Sequence, residues 1–187
     1  MADPTTEPAA AFAVRPMVPE DASAFEAFVS HVPAGEARFL KGNPDDPAEA
    51  LAGFVRDPNA RRLVAVESGE VIGVAGAFPD SGWSSHVAEI RVLVSASHRR
   101  RGLGRLLARA ALVEALKLGC THAYVEVVAE QEALVAMFQD LGFEPQALLS
   151  DFVRDGAGDF HDLMILTHRA DDQWGRSQLF GLTEVVG

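Results

Sequence analysis

The chain of 187 residues is short of cysteine, of tyrosine and of positive charge. Its one cysteine is Cys120. No disulfide can form within the chain, which removes the small cross-linked secreted folds and fits a reducing compartment. Lys and Arg number 16 against 27 Asp and Glu, a formal net charge of -11. That balance excludes non-specific nucleic-acid binding, which runs on neutralising phosphates. No apolar run approaches the ~20 residues that cross a bilayer. Residues 1–11 are acidic, carry Pro4 and Pro8, and lack the basic start and apolar run of a signal peptide. The expectation is a cytoplasmic protein with neither a nucleic-acid nor a membrane partner. No internal repeat is visible. With 48% hydrophobic residues, the length suits one domain with a real core and terminal extensions. The divisions are a tail at 1–11, a domain at 12–168 and an extension at 169–187.

Against the acidic whole, three consecutive arginines stand out. The stretch from Glu89 to Leu116 reads as strand, basic glycine loop and helix. Ile90, Val92 and Val94 alternate with Arg91 and Leu93, which predicts a strand. Leu103, Leu106, Leu107 and Ala110 recur at the spacing of one helical face. Between them lie Arg99, Arg100, Arg101, Gly102, Leu103 and Gly104, with Arg105 just inside the helix. A loop that opens a helix leaves backbone N–H groups without intrahelical partners. Those groups and the positive end of the helix dipole suit a phosphate. Glycines let the backbone turn and approach closely.

Around this unit the chain alternates strands and helices. Phe12, Val14 and Met17 begin a short strand, and Pro19-Glu20-Asp21 starts a helix whose apolar side is Ala24, Phe25, Phe28 and Val29. Glu36 to Leu40 reads as a short helical piece and Ala48 to Val55 as a second helix. Arg62–Glu67 and Val71–Phe78 form a hairpin about Ser68-Gly69-Glu70. Gly73 and Gly76 mark a bulge or a close neighbour within it. Trp83 sits in a Gly/Ser-rich loop, where the reading is an anchor rather than a lid. The leucine-rich helix ends near Leu118-Gly119. Thr121–Val128 is the next strand, and a strand–helix–strand crossover makes it parallel to the first. Ala133, Leu134, Met137, Phe138 and Leu141 share one side of a helix at Glu132–Leu141. Leu148–Arg154 and Phe160–His168 are strands about the turn at Asp155-Gly156-Ala157-Gly158.

Arg99-x-x-Gly102-x-Gly104, after an apolar strand and before a leucine-rich helix, resembles the pyrophosphate-binding signature of the GNAT superfamily of acyl-CoA-dependent N-acyltransferases. Phe138-Gln139-Asp140-Leu141-Gly142-Phe143 resembles the same family's aromatic-x-x-Leu-Gly-Phe ending, at about the expected distance downstream. The resemblance covers roughly residues 12–168 and is weakest before residue 60. It implies an α/β (α+β) fold with a central mixed sheet of six to seven strands, helices on both faces, and a splayed strand pair that binds CoA.

The resemblance further implies a ternary complex of acetyl-CoA, or a related acyl-CoA, with an amine that attacks the thioester directly. The loop from Arg99 to Arg105 would hold the pyrophosphate. Backbone groups near Val92, Leu93 and Val94 would pair with the amide-bearing arm of CoA as if it were a further strand. One of those N–H groups could polarise the thioester carbonyl. Phe39, Phe54 and their neighbours would wall the acceptor pocket, or simply pack the core. Gln131 or a neighbour replaces the family's usual asparagine in the later helix. Phe138 stands where the family often has a tyrosine as acid for the leaving thiolate, and has no proton to give. A thiol with a pKa near that of cysteine, ~8.5, can leave without one.

An ammonium of pKa about 10.4 must lose a proton before it attacks, so a base is useful. Glu89 is the first candidate and Glu126 the second; His86 and His122 are further options. Glu89 can instead be a carboxylate paired with Arg91, since the two share a face of the strand. Tyr124, the sole tyrosine, lies on another element. Cys120 has a packing role at a helix C-terminal end, where the dipole disfavours a thiolate. No metal is implied, because adjacent His161 and Asp162 on a strand point to opposite faces.

The acceptor is a small amine or amino acid derivative, with a protein lysine or N-terminus as the alternative. A non-catalytic acyl-CoA-binding regulatory domain is the other class. A nucleotide enzyme is disfavoured, because the loop lacks the Lys-Ser/Thr of an ATP site and the glycine spacing of a dinucleotide site. Trp174 to Val185 could make a subunit contact, giving a homodimer.

Overall fold

The computed structural model describes residues 12–33, 54–155 and 157–170. Its centre is a seven-stranded sheet. The strands are β1 (Ala13–Pro16), β2 (Arg61–Glu67), β3 (Glu70–Pro79), β4 (Val87–Val94), β5 (His122–Val128), β6 (Glu144–Arg154) and β7 (Phe160–Arg169). Three helices are described in full: α1 (Ala22–Ser30), α2 (Leu103–Lys117) and α3 (Glu132–Asp140). The strand order is β1-β2-β3-β4-β5-β7-β6. Every neighbouring pair is antiparallel except β4 and β5, which are joined by the α2 crossover and run parallel. Among the described residues no helix is long and apolar enough to cross a membrane.

Side-chain alternation divides the sheet into two faces. Ile90 of β4 packs with Ala123, Val125 and Val127 of β5 under α2 and α3. Leu103 and Leu107 of α2 are 1% and 0% exposed, and burying each stabilises by roughly 1.5–3 kcal/mol. The other face carries α1: Phe25, Phe28 and Val29 pack on Val64, Val74 and Phe78, with Leu93 at the margin. The expected helices on both faces are therefore present, and the leucine-rich pattern is the seam of α2. Gly73 lies where α2 crosses: a Cβ there would stand 2.9 Å from Leu107 Cδ1. The β2–β3 register also shifts beside it, between Ala65 and Val66. The close neighbour and the bulge thus coincide at one glycine.

Some expectations are corrected. Trp83 is 96% exposed and anchors nothing among the described residues. Ala133 faces solvent, while Val135 packs on the core beside Leu134 and Met137. The strand expected at Leu148 begins four residues earlier, at Glu144. The short helical piece at Glu36–Leu40 lies outside the described residues. Of the second helix only 54–56 is described, and it is helical.

Candidate active site

β4 and β5 are neighbours for three rungs only: Val87 with His122, Ala88 with Ala123 and Glu89 with Tyr124. Beyond Glu89, β4 stays paired with β3 as far as Val94. β5 stays paired with β7 as far as Val128. The two strands therefore part, and the edge of β4 from Ile90 onward faces β5 across a cleft. Val92, Leu93 and Val94 lie on this edge and are half-buried.

The cleft leads to the arginine loop. A 3₁₀ turn at Ala96–His98 follows β4. The Ser95 N–H donates to the Ile72 carbonyl at 3.0 Å, and Ser95 Oγ lies 2.6 Å from His98 Nδ1. Arg100 has φ +58° and Gly102, the N-cap of α2, has φ +77°. The first helical bond closes from the Leu106 N–H to the Gly102 carbonyl at 3.1 Å. The N–H groups of Leu103, Gly104 and Arg105 therefore have no partner inside the helix, and Gly102 supplies no side-chain cap. Gly104 sits where three elements converge: its Cβ position is 3.5 Å from Met137 Sδ of α3 and 3.7 Å from Val94 of β4. Open backbone donors, a helix dipole and a cleft edge thus meet, which fits a pyrophosphate with an extended amide-bearing arm.

The arginine side chains are placed otherwise than as a simple anion cluster. Arg101 Nη2 donates to Glu67 Oε1 at 2.7 Å. The Arg101 guanidinium holds Glu67 below the usual carboxylate range, with His98 adding to the effect at 3.1 Å. Arg105 reaches Asp140 of α3 at 3.1 Å. Arg99 Nε lies 3.4 Å from the Val94 carbonyl. Arg100 is exposed. Arg101 and Arg105 are thus paired with carboxylates on β2 and α3, while the N–H groups without intrahelical partners remain at the helix mouth.

Glu89, Arg91 and Leu93 alternate onto the α1 face, as do Tyr124 and Glu126 from β5. Glu89 is 5% exposed, and its Oε2 accepts from Arg91 Nη2 at 2.7 Å. The Arg91 guanidinium in turn lies 4.3 Å from the centroid of the Phe78 ring. The pairing with Arg91 is thus realised, in the sheet interior rather than at an edge. Tyr124 is the neighbour that sequence reasoning set aside. Its hydroxyl is pushed up to about 12, first by burial and then by the charges of Glu89, Asp80 and Glu126. The alternation of Tyr124 with Val125 was legible, but the rung that sets it beside Glu89 was not.

Other candidates are placed elsewhere. Phe138 is 3% exposed and meets Phe143 edge-on, with ring centroids 5.1 Å apart. It belongs to the core, because an aromatic at the inward position of α3 gains more from burial than from a wet cleft. Gln131 is the N-cap of α3, its carbonyl accepting from the Leu134 N–H at 2.8 Å. Phe54 packs between Phe25 and Phe78; Phe39 lies outside the described residues. His86 and His122 meet each other edge-on at 5.3 Å at the paired end of the strands. Cys120 is buried, and burial raises its thiol pKa, with the charge of Asp80 adding to this.

Comparison with known proteins agrees with this geometry. The model of the acetyltransferase (GNAT) family matches residues 29–143. Over 103 residues the chain is 31% identical to the uncharacterized N-acetyltransferase YjgM of Escherichia coli (strain K12), a match covering 48% of this chain. It spans 62% of that relative's length. The fold is similar to the acetyltransferase of GNAT family from Streptococcus pneumoniae, with a TM-score of 0.72 at 21% identity over 85% of this chain and 99% of that one. It is likewise similar to yncA from Salmonella typhimurium, solved with its cofactor acetyl-CoA, with a TM-score of 0.73 at 22% identity over 87% and 96%. A strand pair that splays, a glycine-opened helix at its mouth and a matching family model lead to one conclusion: this chain belongs to the GNAT family of N-acetyltransferases.

Proposed function

We propose that the protein transfers an acetyl or related acyl group from acyl-CoA to a primary amine by direct attack within a ternary complex. The acceptor is a small amine or amino acid derivative. The observation that carries this reading is the parting of β4 and β5 after Glu89 and Tyr124, in line with the open N–H groups of α2. The N–H groups of Leu103, Gly104 and Arg105 would take the pyrophosphate, and the edge at Val92 to Val94 the amide-bearing arm. The similar yncA structure, solved with acetyl-CoA, supports the choice of donor.

In the reaction the amine nitrogen forms a bond to the thioester carbonyl carbon. The C–S bond breaks and the thiolate leaves with its electron pair. The nitrogen's surplus proton goes to a base, for which Glu89, at the last rung between β4 and β5 and bonded to Arg91, is the first candidate. Holding both reactants supplies most of the acceleration, because orientation alone can account for about 7–11 kcal/mol of a barrier. Phe138 is buried and donates nothing, so the thiolate departs unaided or with a hydrogen bond from elsewhere.

The test is calorimetric titration of acetyl-CoA into wild type and into the double variant Arg99→Ala, Gly102→Glu. Binding by wild type and its loss in a folded variant support the reading. A folded wild type that binds no acetyl-CoA sinks it.

A further inference from the structure

Glu67 is the last residue of β2, and its carboxylate reaches across to the arginine loop. Its Oε1 accepts from Arg101 Nη2 at 2.7 Å, and its Oε2 from Arg101 Nη1 at 3.4 Å. The same Oε2 lies 3.1 Å from His98 Nε2. One carboxylate thus holds both ends of the segment 98–101. Each end has a further contact. His98 Nδ1 is 2.6 Å from Ser95 Oγ and 2.9 Å from Ser97 Oγ. The Arg101 guanidinium lies 5.8 Å from the centroid of the Phe12 ring.

The two partners differ in how firmly their backbones are set. Glu67 pairs with Glu70 across a two-residue turn, Ser68-Gly69, whose central φ angles are +52° and +86°. Both are positive, as the tightest hairpin connection requires. The loop is less favourable to itself. Arg100 has φ +58°, a left-handed conformation that side chains other than glycine and asparagine seldom take. A conformation of that kind persists where its surroundings over-determine it. Arg100 stands between the two residues that Glu67 holds. Directly after Arg101 come Gly102 and the N–H groups at the mouth of α2.

We propose that Glu67 is a positioning residue for the acyl donor. Acting through Arg101 and His98, it keeps the loop in the shape that aims the N–H groups of Leu103, Gly104 and Arg105 at the pyrophosphate, and Arg101 serves as its tether rather than as a phosphate ligand. The inference rests on the acyl-CoA reading above and assigns a residue to it. The opposite arrangement has the opposite sign. If Arg101 bound the phosphates itself, Glu67 would compete with them, and removing its charge would tighten binding.

The experiment is calorimetric titration of acetyl-CoA into the full chain as wild type, Glu67→Leu, Arg101→Met and the double variant. Lys117→Gln is the control, because it removes an ion pair with Glu114 at the other end of α2. The expected result is binding about fivefold weaker in Glu67→Leu, a similar loss in Arg101→Met, and no further loss in the double variant, since each change cuts the same tether. Glu67→Gln keeps one acceptor oxygen and should recover part of the affinity. If Glu67→Leu does not fold, Glu67→Gln carries the same test of sign. Unchanged or tighter binding in folded Glu67 variants overturns the proposal, as do losses that add in the double variant or an equal loss in Lys117→Gln. A folded wild type that binds no acetyl-CoA is a separate result, which removes the acyl-CoA reading and this inference with it.

Discussion

Glu89 and Tyr124 face each other across the last rung that joins β4 to β5. They stand at the apex of the cleft, on the face that also bears Glu126 and Arg91. The geometry concentrates negative charge around a half-buried phenol, and that has measurable consequences.

Tyr124 is the sole tyrosine, so its ionisation can be followed by tyrosinate absorbance without interference. Its midpoint should lie near pH 12 in the folded protein and fall to about 10 on unfolding. The folded state holds the neutral phenol, so its contribution to stability is complete below about pH 10 and is lost as pH rises toward 12. Glu89→Gln removes one of the negative charges, and the midpoint should drop. A midpoint that does not move in that variant separates the two residues.

Glu89→Gln should also lower kcat by about 10²- to 10⁴-fold if the carboxylate takes the ammonium proton. Acetyl-CoA affinity should hold, because the pyrophosphate site proposed at the mouth of α2 lies beyond the far end of β4. Free thiol release measures the first and calorimetry the second. An undiminished kcat assigns the base elsewhere, with Glu126 next on the same face.

Gly102 and Gly104 should respond in opposite directions to alanine. Gly102 has φ +77° and open space around a built Cβ, so the cost of Gly102→Ala is conformational, about 1–2 kcal/mol. Gly104 lies inside α2, and an added Cβ meets Met137 and Val94 at ordinary contact distance. Gly104→Ala should raise stability by up to about 1 kcal/mol through helix propensity. Denaturant melts of the two variants check both signs.

His161 ties the β6–β7 hairpin to the entrance of α3. Its Nδ1 is 3.1 Å from Glu130 and its Nε2 3.2 Å from Asp155. These bonds raise its pKa, Glu130 first. The stabilisation is therefore complete below about pH 6.5 and disappears as pH climbs past the raised value. An NMR titration should give a midpoint above 6.5, falling in Glu130→Gln. An unmoved midpoint places the cause elsewhere.

The fold was legible where burial dictates period. Ile90, Val92 and Val94 face α2, and Leu103 and Leu107 face the sheet, so two-residue and helical spacing appear directly in the letters. The family's loop was legible because glycine is the residue that sits without strain at φ +77°. What stayed hidden depends on relations between elements. Nothing local tells that pairing stops at Glu89 and Tyr124, or that Arg101 turns to Glu67, 34 residues away. Phe138 matches an aromatic position in the family, yet only packing against Phe143 shows that it is core. Trp83 is apolar in composition and exposed in place, because the short 3₁₀ turn at Gly82–Ser84 points away from both cores.

The three rungs between β4 and β5 have one more consequence. Strands β1 to β4 are stitched to one another along their length, and so are β5, β7 and β6. The sheet is mechanically two panels sharing a short seam. Flexing at Val87–Glu89 and His122–Tyr124 would widen the cleft without costing either panel a bond of its own. Backbone amides at that seam should therefore report occupancy of the cleft more sensitively than amides in either panel.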